Sequence, residues 1–300
     1  MNLGKGYFLV LATAVISGVS IFANKFAVTG LEPVFFTAAK NALVAVFLIS
    51  ALLLTRELKA LASLKKRDWA KLFALGIVGG SVPFALFFTG LTMTSAAGAA
   101  FAHKTMFVFV ALISVFFMKQ AIDKRLVPLA LVLLAGNALL IGLPGSFDFG
   151  LLLVLAATVL WSVETVYAKK LLADYSSNVV SFSRMFFGSL VLLGYLAFTN
   201  SLPTLSQAAS ASWPLLLTSL FLLGYVLTWF AGLKLLDPVT ASIILLLGAP
   251  ITAGLSIAFG LVTPAPLALL GIALLSVGVV AAIKLDSIRF LDREPAVHDN

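Results

Sequence analysis

Four ionisable residues interrupt long stretches of otherwise apolar sequence. They are Lys40, Lys104, Glu164 and Arg184, and His103 directly precedes one of the lysines. A charge placed in hydrocarbon costs at least about 2.5–3.5 kcal/mol on insertion scales, so such residues pair, line a water-filled cavity or bind a ligand. Three cations against one carboxylate leave an excess of two positive charges. The pattern therefore predicts a site for a small molecule that carries a carboxylate or a phosphate.

Glu164 and Arg184 lie at similar depths on two consecutive apolar stretches. A helical rise of about 1.5 Å per residue puts the two side chains within a few ångströms of the same level. One interpretation is an internal ion pair that locks a helical hairpin. A second is a substrate or proton site, or a gate that opens when the pair breaks. Outward snorkelling of both side chains is a third.

The two lysines have no evident acidic partner in the sequence. Lys40 lies about six residues from the end of its stretch, so its side chain either snorkels to the interface or faces the site. Lys104 is about eight residues in, roughly 12 Å deep, and must meet an anion, face water or lose its proton. His103 points about 100° away on a helix, and is either a packing residue or a group that titrates near neutral pH.

Aromatic residues inside the apolar stretches complete the candidate site. Trp161 and Tyr225 are among them, and such rings either stack on a substrate or pack against neighbouring helices. The candidate substrate-binding residues are Lys40, His103, Lys104, Trp161 and Tyr225.

Metal, thiol and nucleotide-hydrolysis chemistry have no support in the sequence. There are no cysteines and only two histidines, which excludes disulfides and thiolate catalysis and argues against a metal site. Walker A, HExxH and GxSxG patterns are absent from the sequence. We therefore expect a protein that is not an enzyme and needs no metal or cofactor. A lipid-modifying enzyme of the membrane and a passive channel are the alternatives from other classes.

The elements that position these residues are predicted to be membrane helices. The chain is 61% hydrophobic and 11% charged, and continuous apolar runs of about 18 or more residues match the hydrocarbon thickness of a bilayer. Its net charge of +8 comes from basic residues between these runs, which indicates membrane topology and not nucleic-acid binding. The ten predicted spans are residues 7–23, 34–54, 69–89, 96–118, 126–143, 149–168, 178–198, 213–233, 239–261 and 266–283.

The sequence repeats itself with an offset of 144 residues. Each copy holds five predicted spans, and an odd number inverts the second copy in the membrane, as in secondary transporters that bind substrate between two halves. We predict a first repeat over residues 1–143, a second over 149–284 and a cytoplasmic tail over 285–300. The aligned pairs are Gly6 and Gly150, Lys25 and Lys169, Lys40 and Arg184, Trp69 and Trp213, and, after a two-residue slip, Gly90 and Gly232.

The distribution of basic residues predicts the orientation. With the N-terminus in the cytoplasm, 16 of the 20 Lys and Arg residues fall on the cytoplasmic side, as the positive-inside rule requires. Both termini are therefore expected in the cytoplasm, and the protein in the plasma (inner) membrane.

Several short patterns occur in a fixed order along the two repeats: Lys25 with Pro33, the basic residues Lys40 and Arg184, Gly90-Leu91, Gly232-Leu233, Leu160-Trp161-Ser162 and Gly248-Ala249-Pro250. In this order they resemble the EamA branch of the drug/metabolite transporter superfamily. The resemblance covers residues 6 to about 284 and implies export of amino acids or related small polar metabolites by alternating access. Relatives in that superfamily exchange phosphorylated or nucleotide-linked metabolites, which is the second expectation. The chain departs from the family in its fourth span, where His103 and Lys104 precede the place of an expected proline.

Overall fold

A computed structural model describes residues 3–27, 32–119, 123–145, 147–204 and 212–291 of the chain. Within these ranges the secondary structure consists of fourteen α-helices and no strands. The helices of the first half are α1 Leu3–Ala27, α2 Pro33–Leu54, α3 Leu58–Ala62, α4 Lys66–Gly80, α5 Val82–Leu91, α6 Ala96–Lys104, α7 Met106–Met118 and α8 Leu126–Ile141. Those of the second half are α9 Phe149–Asp174, α10 Ser177–Phe198, α11 Ser212–Leu235, α12 Pro238–Leu245, α13 Gly248–Ala258 and α14 Pro266–Leu291.

These helices make ten apolar spans within the described residues. Nine are long and apolar enough to cross a membrane, with α4–α5, α6–α7 and α12–α13 each counting as one span. The tenth, α8, is a shorter apolar helix of 16 residues, about 24 Å long at 1.5 Å per residue. The predicted all-α membrane fold with two inverted five-helix repeats is confirmed.

The two halves reproduce the 144-residue offset in their local backbone. Helices α2 and α10 begin and end at equivalent residues, and each is N-capped by a side chain, that of Glu32 or Ser176. Each is followed, two residues after its end, by a non-glycine residue in the left-handed region, Arg56 with φ 58° and Asn200 with φ 52°. Because a left-handed backbone is uncommon outside glycine, its occurrence at equivalent positions shows that the two segments fold as copies.

The third span is broken just before Pro83. Helix α4 ends at Gly80, and α5 begins at Val82 after Ser81, whose φ is −137° and ψ −72°. Pro83 has no amide hydrogen, so it cannot bond the carbonyl of Gly79 one turn earlier. The ninth span is interrupted in the same way between α12 and α13, just before Pro250.

A third break, in the fourth span, occurs without a proline. Helix α6 ends at Lys104 and α7 begins at Met106. The hydroxyl of Thr105 donates to the carbonyl of Ala102 at 2.6 Å, a local bond of the kind that competes with helical hydrogen bonding. The break sets Lys104 at the end of a helix and not in its middle, which the sequence did not predict.

Packing between the halves follows a simple scheme. Helix α1 packs on α11, α2 on α10, α5 on α9 and α8 on α14, so each pair joins one half to the other. Helix α4 also crosses α10 at Gly80, where an added Cβ would collide with the Arg184 carbonyl and with Gly188. This close crossing brings the broken third span against the helix that carries Arg184.

The last helix is longer than its predicted span. Helix α14 continues to Leu291, seven residues into the segment that the sequence analysis assigns to a tail at 285–300. The hydroxyl of Tyr7 donates to the Asp286 carboxylate at 2.8 Å, and this contact with α1 holds the polar end of the helix in place. Residues 292–300 lie outside the described part of the chain.

Candidate functional site

A cavity of about 770 Å³ lies between the two halves. This volume is within the range of small-molecule sites, roughly 300–1,000 Å³. Its wall is built mainly from α1, α2, α5, α6, α9, α10, α11, α13 and α14. The structure brings all seven residues selected from the sequence to this one wall: Lys40, His103, Lys104, Trp161, Glu164, Arg184 and Tyr225.

Glu164 and Arg184 form a buried ion pair on the cavity wall. Arg184 Nε lies 2.5 Å from Glu164 Oε1, and Nη2 lies 3.3 Å from Oε2. Only 10% of the arginine side chain and 7% of the glutamate side chain are exposed. The two-pronged geometry is the strongest arrangement that these two groups can make. Removing one partner would leave the other as a buried charge without compensation.

The ion pair also holds the broken third span of the other half. Arg184 Nη2 donates to the Gly79 carbonyl at 3.0 Å, and Trp161 Nε1 donates to the same oxygen at 3.1 Å. This is the carbonyl that Pro83 leaves without a helical partner. The next carbonyl, that of Gly80, accepts from Asn41 Nδ2 at 3.1 Å. Side chains of the site therefore satisfy the carbonyls that the break exposes.

Gly79 and Asn41 are site residues that the sequence analysis missed. An added Cβ at Gly79 would collide with the Glu164 carboxylate, so only glycine lets the pair lie against this backbone. The sequence signal that could have identified Gly79 is Pro83, because a proline frees the carbonyl four residues before it. Asn41 gives a weaker signal, a buried polar residue next to Lys40.

The two cavity lysines have no counterion among the residues that the structure describes. Lys40 Nζ lies 5.2 Å from the centroid of the Phe36 ring, a cation–π distance. Three ion pairs occur among the described residues, and none of them includes Lys40 or Lys104. The charges on this wall are therefore two lysines without counterions and one internally neutralised pair.

Aromatic rings form the wall beside the lysines. The His103 ring lies 4.9 Å from Trp161 and 5.7 Å from Phe87, measured between centroids, and Phe84 meets Trp161 edge-on at 5.1 Å. His103 Nδ1 is buried and has no hydrogen-bond partner. A polar atom left in this way is costly unless a ligand or water supplies its bond. Tyr225 stacks on Trp229, and both residues line the same cavity.

Polar contacts between the halves close one end of the cavity. We call it the basic end, and it carries Lys5, Lys71, Lys119, Lys170, Lys234 and Lys284. There the Glu57 carboxylate accepts from Ser176 Oγ and, at 3.0 Å, from Asn178 Nδ2. These three residues are the inner latch.

Two tyrosines add further bonds between the halves at this end, and a lysine bonds within the second half. Tyr167 donates to the Lys71 carbonyl at 3.1 Å, and Tyr175 donates to Asp68 Oδ1 at 2.6 Å. Burial, and then the bond to Asp68, raise the pKa of Tyr175 to about 12, so the hydroxyl remains a donor at neutral pH. Lys169 Nζ caps the end of α11 by donating to the carbonyls of Leu233, Lys234 and Leu236, at 2.9, 2.9 and 2.7 Å.

The cavity reaches the opposite end of the bundle. Its wall includes Thr263 and Pro264 in the connection between α13 and α14, and both residues are exposed. No residue of the inner latch lines the cavity. In the described conformation the cavity therefore extends to the end of the bundle opposite the inner latch.

Comparisons with known proteins agree with this arrangement of two halves. The model of the EamA-like transporter family matches residues 4–142 and 148–283. A protein of Clostridium kluyveri named "Uncharacterized transporter" is 27% identical over 259 residues, which is 81% of each chain. A protein of the same name from Archaeoglobus fulgidus is 24% identical over 192 residues, 64% of this chain and 67% of that one. A solved crystal structure with 20% identity superposes with a TM-score of 0.79, covering 94% of this chain and 98% of the other, which shows the fold.

Proposed function

Because this chain belongs to the EamA-like transporter family, we propose that it is a secondary active transporter that exports small polar metabolites, such as amino acids, by alternating access. The substrate occupies the cavity between the inverted halves, where such transporters bind their cargo. The protein is a multi-pass membrane protein, and we place it in the plasma (inner) membrane with the basic end and both termini in the cytoplasm.

The observation that carries the substrate class is the pair of lysines without counterions. Lys40 and Lys104 line the same cavity, and burying two unpaired cations costs free energy that a bound anion would offset. A carboxylate or phosphate of the substrate supplies that anion. Lys104 is the residue we expect to contact it most directly, because it lies at the end of α6, beside the aromatic wall.

The remainder of the wall suits the rest of an amphipathic substrate. Phe84, Phe87 and Trp161 offer ring faces and edges, and His103 Nδ1 offers one unused hydrogen-bonding position. Tyr225 of α11 lines the same cavity. A molecule with one anionic group, one further polar group and an apolar portion would satisfy all three regions.

A second candidate is exchange of phosphorylated or nucleotide-linked metabolites. The specific observation in its favour is again the presence of two lysines, since a phosphate can carry about two negative charges at neutral pH. An amino acid brings one carboxylate, which would neutralise only one of the lysines. The charge of the transported species therefore separates the two candidates.

The described conformation corresponds, in this proposal, to the outward-open state. The bond between Arg184 and the Gly79 carbonyl fixes the break between α4 and α5 against α10. A substrate anion that competes with Glu164 for Arg184 would loosen this contact. The ion pair is then a gate as well as a structural element, because substrate binding and movement of the third span share the same guanidinium.

Counterflow in proteoliposomes tests this function. Vesicles with the purified protein are loaded with one unlabelled metabolite at a time, from a panel of amino acids, other organic acids and sugar phosphates, and uptake of the labelled form is followed. We expect saturable, transient accumulation for at least one anionic member, which a passive channel or an enzyme would not produce. Uptake that never exceeds equilibrium for any member, in vesicles with correctly inserted protein, would contradict secondary transport.

A further inference from the structure

The inner latch has an equivalent pair of residues at the other end of the molecule. The 144-residue offset aligns Ser176 with Glu32 and Glu57 with Ser201. The carboxylate and the hydroxyl have exchanged places, so either end holds one of each. In the basic end the two groups are joined, with Ser176 Oγ donating to the Glu57 carboxylate.

The equivalence holds in three dimensions as well as in the alignment. The amide of Glu57 donates to the Leu52 carbonyl and that of Ser201 to the Leu196 carbonyl, both at 2.9 Å. Ser176 and Glu32 are both N-cap residues whose side chains accept from helix amides. The four residues therefore occupy matching places at the ends of α2 and α10.

In the described conformation Glu32 and Ser201 each form hydrogen bonds with residues close to them in the sequence. The Glu32 carboxylate accepts from the amides of Val34 and Phe35, at 3.0 and 2.6 Å, and Ser201 Oγ donates to the Thr199 carbonyl at 3.3 Å. Nearby, Val34 of α2 and Leu196 of α10 belong to one apolar cluster. The outer ends of these two helices are thus already packed together, but Glu32 and Ser201 are not bonded to each other.

We infer that Glu32 and Ser201 form an outer latch, a hydrogen bond that closes the outer end of the cavity when the inner latch opens. The inference rests on the proposed alternating access. In an inverted-repeat transporter each half takes over the conformation of the other as the cavity changes sides. The bond between Glu57 and Ser176 then becomes a bond between Ser201 and Glu32. The two residues are positioning residues for transport and do not touch the substrate.

The outer latch has fewer hydrogen bonds than the inner one. Asn178, which adds a second bond to Glu57, aligns with Val34, which has no side-chain donor. Tyr175 and Asp68, which are bonded in the basic end, align with Leu31 and Ser212. Closing the outer end therefore forms fewer hydrogen bonds than closing the inner end, and stabilises the closed state less. The resting equilibrium favours the outward-open conformation, and removing bonds of the basic end shifts it toward the inward-open one.

Disulfide trapping tests the outer latch, because the chain has no native cysteines. One variant carries Glu32→Cys and Ser201→Cys, and a second carries Glu57→Cys and Ser176→Cys. Each is reconstituted without substrate and oxidised with copper phenanthroline, and the rate of cross-linking is measured. The rate of each cysteine pair without further substitution is the baseline for that pair.

Tyr175→Phe is then added to each cysteine pair, and the inner and outer cross-linking rates are compared with those of the pairs alone. The loss of one hydrogen bond from the basic end should raise the outer rate about three- to tenfold and lower the inner rate. Tyr195→Phe is the matched control, since Tyr195 is 46% exposed on α10, and it should change neither rate. If the variant with Glu32→Cys and Ser201→Cys does not insert into the membrane, a variant with Glu32→Cys and Leu202→Cys replaces it, with the same expected result.

The possible outcomes separate the latch from the transport function. An outer rate that Tyr175→Phe leaves unchanged, or that moves in the same direction as the inner rate, would overturn the outer latch, even if the wild type shows counterflow. Reciprocal rates support it. Reciprocal rates together with no counterflow for any metabolite tested would keep the latch and count against the proposed export.

Discussion

Arg184 donates from Nη2 to the carbonyl oxygen of Gly79, 3.0 Å away, across the boundary between the two halves. The acceptor is the carbonyl that a proline leaves free, and the donor belongs to an ion pair on the cavity wall. One guanidinium therefore connects the charge of the site to the shape of a broken helix. Changes to this group are expected to affect both stability and transport.

The first prediction concerns the ion pair itself. Glu164→Gln or Arg184→Gln should each destabilise the protein by about 3–5 kcal/mol, because each leaves one buried charge without its partner. The double variant should be less destabilised than the sum of the two. The measurement is a double-mutant cycle of thermal unfolding in detergent. Additive losses would show that the two side chains do not interact in the folded protein.

The second prediction concerns the glycine beneath the pair. Gly79→Ala places a methyl group against the Glu164 carboxylate, so it should lower the melting temperature and the transport rate. Gly194→Ala on α10 is the matched control, because an added Cβ there has nothing within 4 Å. Its effect should stay within about 0.5 kcal/mol, as for a surface substitution. Equal effects of the two substitutions would contradict the close approach.

The third prediction concerns topology. Reporter fusions at the C-terminus should give a cytoplasmic signal, and fusions near Phe147 and Gln207 an external one, because the basic residues collect at the other end. Phe147 is 72% exposed between the two halves, and Gln207 lies outside the described residues. A cytoplasmic signal at Phe147 would contradict five spans in the first half.

Much of the fold could be predicted because membrane helices require long apolar stretches that are easily recognised in a sequence. Continuous apolar runs gave the spans, and equivalent residues such as Trp69 and Trp213 gave the repeat. Pro83 marked a break because a missing amide hydrogen has the same consequence in any helix. Polar tails gave less information, since α14 continues past its apolar part through a contact of Asp286 with Tyr7.

The candidate site was predictable as far as its charged and aromatic side chains. Buried ionisable residues are rare in membrane spans, so Lys104, Glu164 and Arg184 were identifiable without coordinates. The ion pair of Glu164 with Arg184 was one of the interpretations from sequence. The bonds of Arg184 and Asn41 to backbone carbonyls were not predictable, because every residue type carries the same carbonyl group. The break at Thr105 was also missed, since a threonine that bonds its own backbone looks like any other helical threonine.

The most direct test of the central claim is counterflow by a Lys104→Met variant, using a metabolite that the wild type transports. Lys104→Met should abolish counterflow while expression, insertion and melting temperature stay near those of the wild type, because an unpaired charge is removed and none is created. Lys104→Arg should keep part of the activity, because a planar fork replaces a compact ammonium. Lys284→Met, an exposed lysine of α14, is the control and should transport normally. Full counterflow by a well-inserted Lys104→Met protein would contradict the account, because the substrate anion would then have no need of this lysine.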